Sequence, residues 1–456
     1  MYEVTGSKGS NAVDGRAGPF ELSLMPGTSL FYRGSIRVAT ALLPAAAVFS
    51  AKLKRGDVAR RGALDRLTAW ARRERDRSRP LVWFHAPSVG EGLQAEAVLR
   101  PIRERRPEWQ IAYTHFSPSA EVLAGRIGAS VSDYLPYDTP AAAEGLLAAL
   151  SPSALIFSKL DLWPELATRA AAAGIPVALI AATVRPGSGR LRWPARTLLA
   201  PGYRALTAVA AVDPADGERL VTLGADRKAI RVLGDPRYDS VAAKVAAVRP
   251  DDPLLRFGDG APTLVAGSTW AGDDAALLEA FVRVRATHPT ARLILVPHEP
   301  TAPHLAALDA LAHKVGAPVP VRLSVASGPV PILAVDRVGV LAVLYGAGAM
   351  TYVGGGFHAA GLHSVLEPAA WGRPVIFGPR WRESRDAGIL LEAGAAVALP
   401  GNLRAVEQLA ATWGEWISDP AACATRGRKA REAVDRGQGA AARTAEMVEG
   451  LVGRSR

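Results

Sequence analysis

Short apolar runs alternate with helix-length stretches along most of this 456-residue chain, and they do so twice. The first pass predicts strands at Leu81–His85, Gln110–Thr114, Ala154–Phe157, Val177–Ile180, Ala208–Val212 and Ile230–Gly234, with an extended piece at Ser132–Pro136. Between them, 91–105, 118–127, 139–150 and 214–223 read as helices. Strands separated by such helices signal a parallel sheet with crossover connections. The pattern breaks over 241–262, where Pro250-Asp251-Asp252-Pro253 and Gly258 to Pro262 are turn formers. It then restarts: strands at Thr263–Gly267, Arg292–Val296, 330–335, 349–353 and 374–377 alternate with helices at 272–287, 301–314, 338–346, 364–371 and 384–393. The expected fold class is α/β, as two doubly wound halves facing a cleft. The carboxyl ends of the strands are where such sheets bind ligands.

Domain boundaries follow from the same pattern: a flexible tail at 1–30, membrane-associating basic and apolar helices at 31–79, a first half at 80–245, a linker at 246–262, a second half at 263–435, and a closing helix at 436–456 that crosses back. With 49% hydrophobic and 21% charged residues, the chain carries a large core. Its formal charge of +11 favours an anionic partner. No aromatic-interleaved basic stripe or zinc spacing points to nucleic acid. The single cysteine, Cys423, excludes an intrachain disulfide and a cysteine metal cluster.

The apolar run at 38–51 is flanked by Arg33 and Arg37 before it and by Lys52, Lys54 and Arg55 after it. It is shorter than the roughly 20 residues a hydrocarbon core demands. Two readings stand: a helix lying in a membrane interface with its cations on anionic head groups, or a helix packed on the protein's own surface. The basic stretch 60–79 is either a solvated face or part of the same lipid contact.

Three segments carry candidate chemistry. Tyr352–Arg380 begins with a strand end, turns at Gly354-Gly355-Gly356, closes a second loop through His363 and Ser364, and opens a helix at Val365-Leu366-Glu367. A glycine turn feeding a helix start offers N–H groups to a phosphate, and Glu367 is placed to accept from sugar hydroxyls. A tight strand-to-helix turn explains the glycines equally well. Glu91 follows the first strand on the first turn of a helix, where a carboxylate serves either as a general base or as a partner of the macrodipole. Lys159 and Asp161 lie on one side of the chain if it stays extended, as an ion pair or with Lys159 facing an anionic substrate. Arg237 closes the first half, and His298 follows a strand of the second. There is no P-loop, nucleophile elbow or metal-ligand spacing.

Taken together, the segments resemble the bacterial 3-deoxy-D-manno-octulosonate (Kdo) transferases. The collinear matches are SVGE at 88–91, YLPYDTP at 134–140, DLWP at 161–164, GDPRYD at 234–239, GSTW at 267–270, VPHEP at 296–300 and the glycine segment at 352–379. The resemblance implies the two-domain GT-B glycosyltransferase fold, a CMP-Kdo donor, a lipid A precursor as acceptor, and no metal or other cofactor. It implies Glu91 as the base and Arg237 as a group steadying the transition state, with Lys159 at a further catalytic position. Pro297, His298, Val338, Gly339, Val340, Ser364, Val365, Leu366 and Glu367 match donor-holding segments, and Gly354, Gly355 and His363 are counted with them. It implies a place on the cytoplasmic face of the inner membrane. The chain departs from the family at Lys159, where a carboxylate is common, at Ser364 in place of Asn, and at Val340 in place of Glu. Another GT-B transferase or epimerase, and a non-catalytic membrane-surface homologue, are the alternatives.

Overall fold

The structure, a computed structural model, describes residues 28–47 and 50–454. Two seven-stranded parallel sheets follow one another. The first holds β1 (Leu81–His85), β2 (Gln110–His115), β3 (Val131–Tyr134), β4 (Ala154–Ser158), β5 (Val177–Ala182), β6 (Ala208–Ala211) and β7 (Ile230–Val232), in the order β3-β2-β1-β4-β5-β6-β7. The second holds β8 (Thr263–Thr269), β9 (Arg292–Pro297), β10 (Val321–Arg322), β11 (Ile332–Ala334), β12 (Met350–Val353), β13 (Val375–Phe377) and β14 (Ala396–Ala398), in the order β10-β11-β9-β8-β12-β13-β14. Strand order reverses between β1 and β4 in one sheet and between β8 and β12 in the other. At such a switch point the connecting helices leave to opposite faces and open a crevice beyond the strand ends.

Strands β1, β2, β4, β5 and β6 are buried along their whole length, which is why they read as unbroken apolar runs. Each sheet is covered on both faces. One face of the first packs Leu67, Trp83, Leu155 and Phe157 with the helices that cross it. On the other face, Val82, Phe84 and Ile156 meet Ala445, Met447, Val448 and Leu451 of the last helix, Ala440–Arg454. That helix therefore completes the core of the half that begins the chain. Helix Pro236–Ala246 is shared: it follows β7, yet buries Tyr238 and Val241 among Phe377, Leu390 and Val434 of the second half.

Several element boundaries differ from expectation. The 60–79 helix is confined to Ala63–Glu74, entered through Gly62 at φ 74°. The closing helix expected over 436–456 is Ala440–Arg454, preceded by a separate helix Pro420–Gly437 and set off from it at Gly439, φ 87°. Residues 1–27 of the expected tail lie outside the described residues, but Thr28 already bonds Glu165. Helix Leu30–Ala47 begins before the apolar run, whose residues 48–49 are also outside those described. Its start is fixed to the first half: Tyr32 Oη donates to Asp138 at 2.7 Å and Arg33 Nε to Glu165 at 3.0 Å. Leu30, Phe31, Val38 and Leu42 remain exposed. Among the described residues no helix is long and apolar enough to cross a membrane.

Candidate functional site

Both switch points carry the segments singled out in the sequence. Register between β1 and β4 sets His85 beside Phe157, so the turns that follow, 86–90 and 159–163, are neighbours. Helix Val89–Arg105 starts at the first of these turns and bears Glu91 in its first turn. Both carboxylate oxygens of Glu91 are engaged. Ser88 Oγ donates to Oε2, and Lys159 Nζ donates to Oε1 at 3.0 Å. Ser158 Oγ donates to the Glu91 carbonyl at 3.0 Å, tying the helix start to β4. Glu91 is mostly covered, while Lys159 stays half-exposed.

The expected pairing of Lys159 with Asp161 does not occur. Lys159 adopts φ 64°, the left-handed region that a side-chain-bearing residue rarely takes. The two-residue alternation of an extended chain is lost, and the two side chains diverge. Asp161 instead receives the Trp163 indole at 3.1 Å, with His85 Nε2 at 3.5 Å and Arg190 at 3.8 Å. Burial works against its charge, but His85, Trp163 and Arg190 together hold its carboxyl below the usual range.

Arg237, on the first turn of helix Pro236–Ala246, lies where the two halves meet. Asp235 Oδ2 takes its Nε at 2.8 Å and its Nη2 at 2.7 Å; Asp386 Oδ2, from the second half, lies 3.0 Å from Nη2. Burial disfavours the cation, yet Asp386 and Asp235 keep its pKa above the ordinary arginine value. Of the three expected catalytic residues, Glu91 and Lys159 touch, and Arg237 reaches them only indirectly. The buried Gln94, one turn after Glu91, lies 3.5 Å from Asp235 through its Nε2. The adjacent Arg385 crosses the junction the other way, to Asp216 and, at 2.9 Å, to Asp213.

On the second half, Trp270 follows β8 and sits among three imidazoles. It is stacked with His358 at 4.0 Å and 4° and with His298 at 4.9 Å, while His363 lies beside it, nearly coplanar with centroids 6.3 Å apart, its Nε2 accepting the indole N–H at 3.0 Å. Burial, then His298 and His358, pushes the His363 pKa down to about 4, consistent with its accepting role. Pro297 ends β9 in the core and His298 is exposed beyond it.

The glycine loop also has a use in the packing of the loops themselves. A Cβ on Gly354 would strike the Ser268 backbone, and one on Gly356 would strike Gly378. These glycines let three loops pack backbone to backbone. Asp273 locks the arrangement, accepting from Gly355 N at 2.9 Å, Trp270 N at 3.0 Å and Tyr352 Oη at 2.7 Å. The helix expected from 364 starts at Leu366 and ends at Ala370; Ser364 Oγ accepts from Leu366 N, and Val365 is buried. Lys244 Nζ donates to Glu367 Oε1 at 3.3 Å. Val338, Gly339 (φ 87°) and Val340 form a turn before helix Leu341–Ala347, not a helix from 338.

The sequence reading missed His358, Ser88, Arg385 and Asp386. Only Ser88 had a local signal, as the residue before a helix start; the others acquire partners through the tertiary fold.

The model of the 3-deoxy-D-manno-octulosonic-acid transferase (kdotransferase) family matches residues 61–240. The chain is similar to the 3-deoxy-D-manno-octulosonic acid transferase of Bordetella pertussis, 29% identical over 388 residues, which is 82% of this chain and 87% of that protein. The enzyme of the same name from Haemophilus influenzae is 28% identical over 310 residues, 65% of this chain and 70% of that one. Among solved structures, the UDP-GlcNAc 2-epimerase of Neisseria meningitidis bound to UDP-GlcNAc superposes with a TM-score of 0.59 at 12% identity, covering 82% of this chain and all of that one. At that identity the likeness concerns the fold, two facing doubly wound halves of GT-B type.

Proposed function

Because the chain belongs to the Kdo transferase family, glycosyltransferases that act in lipopolysaccharide biosynthesis, we propose that it moves Kdo from CMP-Kdo onto a lipid A precursor, with inversion, with Glu91 as the base and without a metal. The observation that carries this reading is the setting of Glu91: a largely covered carboxylate at the switch point of the first sheet, each oxygen held by a hydrogen-bond donor.

Glu91 removes the proton of the acceptor hydroxyl as its oxygen attacks the anomeric carbon. The bond to CMP breaks on the opposite side, the electron pair leaves with the phosphate, and the configuration inverts. The charge that grows on the departing CMP is met by Arg237 and His298 and by the N–H groups at the start of the helix following Ser364. The indole and imidazole rings of Trp270, His358 and His363 are a flat wall for the nucleotide or the sugar. The exposed face of helix Leu30–Ala47 rests on the cytoplasmic leaflet of the inner membrane, where the lipid acceptor is available.

One observation favours a second reading. Lys159 occupies Glu91 as a counter-ion, which suits a catalytically silent homologue on the same scaffold. Transfer from CMP-Kdo to a tetra-acylated lipid A precursor, assayed in EDTA with Glu91→Ala alongside, decides between them. Product from the wild type alone supports the transferase reading. Equal product from both removes Glu91 as the base. CMP release without lipid product moves the acceptor elsewhere, and no CMP release with acceptor supplied sinks the donor assignment.

A further inference from the structure

The two halves meet through reciprocal ion pairs centred on two neighbouring residues at the start of helix Arg385–Glu392. Arg385 reaches to Asp213 and Asp216 of the first half, and Asp386 receives Arg237 and Tyr238. Two further pairs join the halves: Arg185 with Glu383, exposed on both sides, and Lys244 with Glu367.

The contacts of Asp386 differ in kind from the others. It is almost fully covered, and its two oxygens go to consecutive residues of one segment: Oδ1 takes the Tyr238 hydroxyl at 3.0 Å and Oδ2 lies 3.0 Å from Arg237 Nη2. Tyr238 thus fixes the carboxylate, and the carboxylate fixes the guanidinium. Asp235 fixes the same guanidinium from its own half through Nε and Nη2. The closest contacts of Arg237 therefore all use the Nε and Nη2 edge. A planar guanidinium held on one edge presents its other edge, Nη1, in a set direction.

We propose that Asp386 is the positioning residue for Arg237: meeting of the two halves brings its carboxylate onto the Nη2 side of the guanidinium and turns Nη1 toward the reacting groups. Arg237 is then competent only when the donor half is docked, so departure of the nucleotide and closure are coupled. The inference rests on the transferase reading for the role of Arg237. It goes beyond that reading by assigning Asp386, a residue of the opposite half, to the same task.

The test compares kcat and the CMP-Kdo KM for Asp386→Asn, Asp386→Glu, Arg237→Ala and the Arg237→Ala/Asp386→Asn double variant. Glu383→Gln, on the exposed pair, serves as control and keeps the wild-type rate. Asp386→Asn retains an acceptor for Tyr238 and removes the charge facing Arg237. A misplaced guanidinium lowers kcat about 10²-fold with the donor KM within about threefold, because the loss falls on the transition state. Asp386→Glu recovers part of that loss. The double variant is no slower than Arg237→Ala, since two residues acting as a unit are not additive. A wild-type kcat for Asp386→Asn, or a double variant slower by the full product of the single effects, overturns the proposal.

If Asp386→Asn does not fold, Tyr238→Phe replaces it: freeing the Oδ1 side lowers kcat at unchanged donor KM, and a wild-type kcat overturns the proposal. If the wild type releases no CMP from CMP-Kdo, the donor assignment has failed, and small-angle X-ray scattering decides the latch separately. A larger radius of gyration for Asp386→Asn than for wild type and Asp386→Glu supports it; equal radii overturn it.

Discussion

The ammonium of Lys159 lies 3.0 Å from Oε1 of Glu91, joining the residue that follows β4 to the first helical turn after β1. A carboxylate at 159 would set two negative groups against each other. A cation there makes an ion pair whose lysine end is half in solvent. The pair orients Glu91 and at the same time occupies one of its oxygens.

Replacing Lys159 by Met frees Oε1 but removes the group that holds the carboxylate in place. Loss of orientation without loss of the base lowers kcat by about 10-fold and leaves the donor KM unchanged. On the role proposed for Glu91, Glu91→Gln removes the base itself and costs about 10²- to 10⁴-fold. Steady-state kinetics of the two variants side by side check the ranking; a Lys159→Met enzyme as slow as Glu91→Gln would give Lys159 a catalytic part of its own.

The depressed His363 pKa gives stability a pH dependence with a definite sign. In the folded chain the imidazole protonates near pH 4, while in the unfolded chain it does so at about 6.5. Between those values the unfolded state binds the extra proton, so this contribution is complete above about pH 6.5 and is lost as pH falls towards 4. A His363→Gln variant, whose amide oxygen still accepts from Trp270, shows a flatter fall of Tm across that window. Thermal melts at half-unit pH steps are the measurement.

At the junction, Asp216 is fully buried and its carboxyl is held below the usual range. Burial opposes the charge, but Arg219, the Val184 N–H and Arg385 outweigh it. Its contribution is present above an unfolded pKa of about 3.9 and is lost as pH falls through the lower folded value. Arg385→Ala removes one of the two cations and lowers unfolding stability by about 2 kcal/mol near neutral pH, less than full loss of a buried partner because Arg219 remains. Denaturant titration at pH 7 and at pH 3 reads this, and the deficit is smaller in acid.

Much of the fold was readable from the chain because buried parallel strands are locally apolar. Val82-Trp83-Phe84 and Leu155-Ile156-Phe157 needed no partner to be recognised. Glu91 was readable too, since a carboxylate just after a strand and inside a first helical turn is a local pattern. The rest depends on residues far apart in sequence. Nothing around Asp386 announces Arg237, and the left-handed Lys159 that separates it from Asp161 carries no glycine to mark it. The glycines of 354–356 were visible, but what approaches them was not. Ser268 and Gly378, whose backbones pack against Gly354 and Gly356, come from distant parts of the chain.

Helix Leu30–Ala47 supplies the last prediction. Phe31, Val38 and Leu42 are spaced seven and four residues apart and so share one helical face, and all three are exposed. Tyr32, pointing the other way, is buried against Asp138. The helix thus has one face given to the protein and one apolar face given to nothing described, with Arg37 and Lys54 exposed nearby. Transfer of one large apolar side chain from water is worth about 1.5–3 kcal/mol, so Phe31→Asp/Leu42→Asp weakens association with vesicles by at least about 10²-fold. Cosedimentation with vesicles rich in phosphatidylglycerol measures this. Binding by the wild type that falls with salt and vanishes in the double variant fits an interfacial helix whose cations meet anionic head groups. Equal binding by both proteins would move the membrane contact to the basic helix Ala63–Glu74. Its Leu67 and Trp70 are already buried in the core, so it can offer a membrane charge but little apolar surface.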